Sequence, residues 1–169
     1  MKNVLITLML MSGLFTMPAG AQNIEETNAL KDDLANYLVM VDLTRDVDNL
    51  FFEIWQLPVL EKLTKNENRM IMILTNKMKG VQAPIDVDAL QSEGTYTNGK
   101  LQAIYDRMTA AGRADQSEAL MASAELEEHQ LLFLEKALER TEDLNAILLF
   151  DQMRMISKSN LRMIAAELL

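Results

Sequence analysis

The chain contains no cysteine and a single histidine, His129, among its 169 residues. The first absence removes disulfides, thiolate nucleophiles and thiolate metal ligands, so stability has to come from packing. The second leaves no pair of imidazoles for a histidine-rich metal centre. A Ser-His-Asp or Cys-His nucleophile system would have to be built on His129 alone. Glycine (6), proline (3) and aromatic residues (5%) are scarce, no segment keeps the period-two alternation of a half-buried strand, and there is no glycine-rich phosphate loop. Positive charge is also short, with 16 Lys and Arg against 25 Asp and Glu for a net charge of −9. A chain of that charge is repelled by phosphate backbones and anionic lipid surfaces, which argues against nucleic acid as a partner.

What is present begins with the first 21 residues, MKNVLITLMLMSGLFTMPAGA. Lys2 supplies a positive n-region, Val4 to Phe15 an apolar h-region, and Ala19-Gly20-Ala21 a small-x-small cleavage site. The apolar run is too short for a membrane span and Pro18 closes it, so the expectation is a secretory signal peptide cleaved after Ala21. Residues 22–169 then form one domain, secreted or periplasmic, with no later run approaching the roughly 20 apolar residues that a span requires.

The remainder is rich in Leu, Ala, Met, Glu and Lys, which favours helix. Leu30, Leu34, Leu38, Val41, Val47, Phe51 and Trp55 return to one face of a helix over about 25–56. Pro58 suits the first turn of a second helix over 58–79, with Leu60, Leu63, Glu67, Met70, Ile71 and Leu74 inward and Gly80 as its left-handed cap. Residues 81–98 are irregular. A short helix over 99–111 presents Leu101, Ile104, Tyr105 and Met108. Asp115 with Glu118 makes a capping-box-like start for a helix over 116–140, whose stripe is Leu120, Ser123, Ala124, Glu127, Leu131, Leu134 and Leu138. Thr141 is the expected cap of the last helix, 142–167, with Leu149, Met153, Ile156, Asn160, Met163 and Ile164 inside. Short links make each flanking pair antiparallel, and the long middle connection joins the two hairpins. The expected class is therefore all-α: a ferritin-like up-down four-helix bundle with one long crossover carrying a short extra helix.

Polar residues within the stripes are the chemical signal, because an unpartnered buried carboxylate costs several kcal/mol. Projection of the helices puts Val41, Glu67, Met70, Glu127, Gln130 and Asn160 in one layer. In di-iron bundles that layer carries a Glu from each helix and Glu-x-x-His pairs. Here two carboxylates remain without a histidine, and ENRM (67–70) sets Met70 where such a pair has its imidazole. The structural alternative is that Glu67 or Glu127 pairs with Arg69, Lys62 or Arg45, or reaches water at a bundle end.

Several segments resemble one family. GTYTNGKLQAIYDRMTAAG (94–112), LTRDV (43–47), WQLPVL (55–60), ELEEHQLLFLEKAL (125–138) and SKSNLR (157–162) are together similar to the bacterial ferritin-like domain of unknown function 2202. The likeness runs from about Leu34 to Leu168. It implies the bundle fold and a secreted protein of unsettled activity. The departures fall on the ligand-like places: Met40 and Val41 stand where the family has Glu, Met70 and Asn160 where it has His, and Gln130 where it has Asp. Those departures imply that the family's metal chemistry is impaired or lost in this chain.

Glu128 matches the family as Glu127 does, and His129 with Glu125 one turn back is a candidate relocated ligand; an exposed histidine is the plainer reading. Met70 with Met153 or Met163 could converge on Cu(I), whereas i,i+2 pairs such as MIM (70–72) and MRM (153–155) point apart; gap-filling methionine is the simpler account. Asp42, Asp46 and Asp48 read as a solvated acidic face. The expectation is a non-catalytic binding or structural envelope protein with a degenerate metal site and no cofactor. A protein partner, a homo-oligomer or a small ligand is left open. The alternative is a mononuclear iron, manganese or copper protein of storage, sensing or oxidative-stress protection, using Glu67, Glu127, Glu128 and His129.

Overall fold

The computed structural model describes residues 19–85, 90 and 92–169, with side chains from 27 onward. The expected signal peptide falls largely outside the described residues, and its expected cleavage point after Ala21 lies in the first turn of the first helix. Among the described residues there are five helices and no strand: α1 (Ala19–Trp55), α2 (Pro58–Val81), α3 (Gly99–Gly112), α4 (Gln116–Arg140) and α5 (Leu144–Glu167).

The boundaries have local causes. α1 stops where Gln56 takes a left-handed conformation (φ 55°), and Pro58 opens α2 two residues later. The left-handed cap of α2 is Gln82 (φ 53°) rather than Gly80, which stays within the helix; the Gln82 and Ala83 amides close back on Lys79 and Met78. Asn98 and Asp115 cap α3 and α4 with their side chains. The last helix is capped by Asp143, whose carboxylate accepts from the Ala146 amide at 2.8 Å. Thr141 instead ends α4, because Asp143 lies where a side-chain oxygen reaches the first free amides.

Side-chain pairings set the topology. Asp33 meets Arg140, Thr44 meets Gln130 and Asp48 meets Ser123, so α1 and α4 run antiparallel. Gln130 with Ser157 and Glu127 with Asn160 make α4 and α5 antiparallel. α2 packs antiparallel to α1 through its short link, and reaches α5 through Asn66 and Asn160. α2 and α4 are therefore parallel, and a chain leaving the far end of α2 must return the length of the bundle before α4 can start. At 1.5 Å per residue that is roughly 36 Å, which is the physical reason for the long crossover. α3 lies on this return path against α4 and α1.

Two apolar clusters fill the bundle. One gathers Leu34 to Val41 with Met70 to Met78, Leu134 and Leu149 to Met153. The other gathers Leu43 to Phe51 with Val59 to Leu63, Met108, Leu120, Leu126 and Ile164. Between them, Glu67 separates Leu63 from Met70 on α2, and Ser157 with Asn160 separates Met153 from Ile164 on α5. A buried polar layer divides the core.

Candidate functional site

Three carboxyl groups occupy that layer with no measurable exposure: Asp48 of α1, Glu67 of α2 and Glu127 of α4. α5 contributes Ser157 and Asn160, and α1 and α4 add Tyr37, Thr44, Ser123 and Gln130, all buried. The Asn160 amide donates to Glu127 Oε1 at 2.5 Å, and its carbonyl accepts from Asn66 Nδ2 at 2.7 Å. The Ser123 hydroxyl donates to Asp48. Gln130 accepts from the Tyr37 hydroxyl at 3.0 Å and from Ser157 at 3.4 Å, and donates to Thr44 at 2.9 Å. The Thr44 hydroxyl in turn donates to the Met40 carbonyl at 2.9 Å.

Glu67 differs from the other two. Neither of its oxygens, nor Asp48 Oδ2 or Glu127 Oε2, meets an amide or hydroxyl donor. What faces Glu67 is the pair of carboxyls of Asp48 and Glu127. Among the described residues no ion pair reaches any of the three: Arg45, one conceivable partner, is taken by Asp42 at 2.7 Å and Asp46 at 2.5 Å. Burial is the largest cause raising all three carboxyls above their ordinary range; charge repulsion adds to it at Asp48 and Glu67, whereas at Glu127 the hydrogen bonds oppose it. Asp48 is pushed up to about 8, and Glu67 lies well above the usual carboxylate value. Carboxyl protons are the donors that remain for this cluster, and Glu67 is their natural carrier: its hydrogen bonds favour its own protonated form and the ionised forms of its neighbours.

The arrangement corrects three expectations. Asp42, Asp46 and Asp48 are not a solvated face; all three are buried. The crossover covers the first two, with the Leu90 amide on Asp42 at 2.8 Å, and the Gly94 amide and Tyr96 hydroxyl each on Asp46 at 2.9 Å. Asp48 turns to the bundle interior. Glu67 is fully buried and, among the described residues, forms no ion pair with Arg69, Lys62 or Arg45. Glu67 and Glu127 come together as expected, whereas Glu128 and His129 are exposed. His129 instead lines a shallow hollow with Met40, Leu43, Thr44, Leu101, Ile104 and Leu126. Asp48 is the residue that sequence reasoning missed. Its signal was the heptad Leu34, Val41, Asp48, Trp55, in which only a carboxylate among apolar positions hid the register.

Fit to a metal can be judged from the donors. A di-iron centre wants several carboxylates with imidazoles held around two ions. Here no imidazole enters the layer, Asn160 offers its amide to Glu127, and the Met70 thioether fills the core beside Glu67. Among the described residues no group of three or more His, Asp or Glu side chains is disposed to hold a metal ion. The residues present do not fit a dinuclear metal centre.

Comparison with known proteins agrees with the architecture. The crystal structure of the hypothetical protein MJ0754 from Methanococcus jannaschii superposes with a TM-score of 0.77 at 20% identity, covering 82% of this chain and 78% of that one. At that identity the likeness speaks for the fold. No curated protein sequence matches the chain. Residues 36–168 match the uncharacterised protein domain DUF2202, and this helical bundle belongs to that family.

Proposed function

We propose that this is a secreted, non-catalytic bundle of ferritin-like layout, in which protons and neutral amides have taken the place of the metal, and that it acts as a binding or structural protein of the cell envelope. One observation carries the reading. Glu67 faces Asp48 and Glu127 in a fully buried layer, and among the described residues no Lys, Arg, His or amide donor reaches it. Such a cluster is tolerable when it holds protons, and its fully buried carboxyls then offer no open coordination position and no base exposed to a substrate. The signal-like first 21 residues support secretion, and Met70 and Asn160 at the ligand-like places support the loss of metal.

The test is the metal content of mature protein purified without chelator or affinity tag, followed by thermal unfolding in Fe(II), Mn(II), Zn(II) and Cu(I). The expected result is an empty protein whose Tm ignores all four ions. Near-stoichiometric retention of one ion, lost on Glu67→Gln, would replace this reading with a mononuclear metal protein.

A further inference from the structure

The net charge describes the chain as uniformly acidic, but the fold sorts its charges by helix. α2 and α5 together carry eight basic and four acidic side chains, whereas α1 and α4 carry four basic and fourteen acidic ones. Glu67 is one of the four acids on the α2 and α5 side, and it is buried.

α2 and α5 are neighbours, and the Asn66–Asn160 hydrogen bond sets their relative register. It brings the Lys62–Arg69 turns of α2 level with the Lys158–Arg162 turn of α5. Lys62, Lys65, Arg69, Lys158 and Arg162 are all exposed. Lys65 has Glu61 at 2.6 Å, while among the described residues the other four form no ion pair. Like charges gathered at this spacing repel one another, and among the described residues only Lys65 has an acidic partner to offset the cost.

The same two helices also expose large apolar side chains. Met72 of α2 is 57% exposed, and Leu148 and Met155 of α5 are 70% and 67% exposed. Leu148, Met155 and Arg162 are spaced by seven residues, so they form one line along the outer side of α5. Cations beside protruding apolar side chains suit the interface of an anionic bilayer, where the charges meet headgroups and the apolar tips enter the acyl boundary. A nucleic acid would leave the aliphatic and thioether side chains in water. Repulsion from the acidic side is weak at this range. The Debye length is about 8 Å at physiological ionic strength, and a bundle two helices thick holds α1 and α4 roughly 10 Å further from the surface.

We propose that the outer face of α2 and α5 docks the protein peripherally on an anionic lipid surface, with Lys62, Lys65, Arg69, Lys158 and Arg162 on the headgroups and Met72, Leu148 and Met155 at the acyl boundary.

The test is flotation of the mature protein with phosphatidylcholine vesicles, with and without phosphatidylglycerol, at low and physiological salt. Binding is expected with phosphatidylglycerol alone, and it should weaken as salt rises. The triple variant Lys62→Glu, Arg69→Glu, Arg162→Glu should lose it by at least about a hundredfold, from roughly fivefold per cation removed. The pair Lys100→Glu, Lys136→Glu, on α3 and α4, should bind as the parent does. Should the triple variant misfold by circular dichroism, the milder pair Arg69→Gln, Arg162→Gln should still weaken binding about 25-fold. Met155→Ser should reduce the binding that survives physiological salt. The proposal is overturned by absent phosphatidylglycerol-dependent binding at low salt, by equal loss in the Lys100 and Lys136 variant, or by equally tight binding of a short single-stranded DNA.

Discussion

Asn160 of α5 stands between two helices, accepting from Asn66 of α2 at 2.7 Å and donating to Glu127 of α4 at 2.5 Å. The Asn160 donor opposes the rise that burial imposes on Glu127, while Glu67, lacking any such donor, is raised well above the usual carboxylate range. The amide thus decides how charge is distributed in the layer. Replacing it with an apolar side chain of similar size, Asn160→Leu, leaves Glu127 Oε1 without a partner. Urea unfolding should show a loss of about 1–3 kcal/mol, and a variant as stable as the parent would mean that Glu127 is protonated too.

Glu67→Gln keeps shape and supplies a permanent N–H donor to Asp48 or Glu127. Since burial and the facing carboxyls favour the protonated form of Glu67, stability at neutral pH should hold or rise, in contrast to the usual several-kcal/mol cost of removing one partner of a buried ion pair. Strong destabilisation at pH 7 would show that an ionised Glu67 supports the fold.

Asp48 yields the pH dependence. Its unfolded carboxyl ionises near the ordinary value of 3.8, whereas in the folded protein burial pushes it up to about 8. Between those values the native state holds a proton that the unfolded chain has released, so its contribution to stability is full below about pH 4 and is lost as the pH rises towards 8. The slope is about −1.4 kcal/mol per pH unit for one proton. Asp48→Asn should flatten the stability profile across that window by about this amount, as read from urea unfolding at a series of pH values. An unchanged profile would place the proton elsewhere.

Asp46 joins the crossover to α1 through the Gly94 amide and the Tyr96 hydroxyl, and also pairs with Arg45 on its own helix. Burial and the adjacent Asp46 raise the Tyr96 hydroxyl, keeping it a donor over the whole working range. Asp46→Ala orphans those donors and should cost about 2–4 kcal/mol. Limited proteolysis should then cut first between 82 and 98, with the bundle helices still protected; uniform cleavage would indicate that the crossover and bundle unfold together.

Gly112 ends α3 against Phe51, where any Cβ would overlap the ring, and its carbonyl accepts from the Trp55 indole at 2.8 Å. Gly112→Ala should destabilise by about 1–3 kcal/mol through overpacking, whereas Gly80→Ala, with open space around it, should be neutral or slightly stabilising. Thermal unfolding of both variants separates the packing effect from helix propensity.

Much of this architecture was legible because helices are written in local patterns. Pro58, Asp115 and the apolar stripes of α2 and α4 act within a few residues, and their boundaries agree closely with expectation. Legibility failed where two local signals competed. Gly80 and Thr141 have the chemistry of caps, but the backbone continued to Gln82 and Asp143, which close the ends with better-placed hydrogen bonds. Within the site, Glu67 and Glu127 were visible as carboxylates in apolar stripes. Asp48 was not, because α1 is buried on two sides and its acidic residues read as a single outward face.

By itself the sequence determined the helical class, the need for a long crossover, the absence of thiol and multi-imidazole chemistry, and the presence of carboxylates where a core should be apolar. These follow from residue types and from periods of three and four, which do not depend on distant partners. Tertiary structure alone decided which carboxyls meet. Asp42 and Asp46 were turned to the crossover and Arg45, and Asp48 to Glu67 and Glu127. That choice rests on which helix packs against each side of α1. It separates a neutralised ion-pair cluster from a protonated one, because a buried charge depends on the groups within a few ångströms and not on its neighbours along the chain.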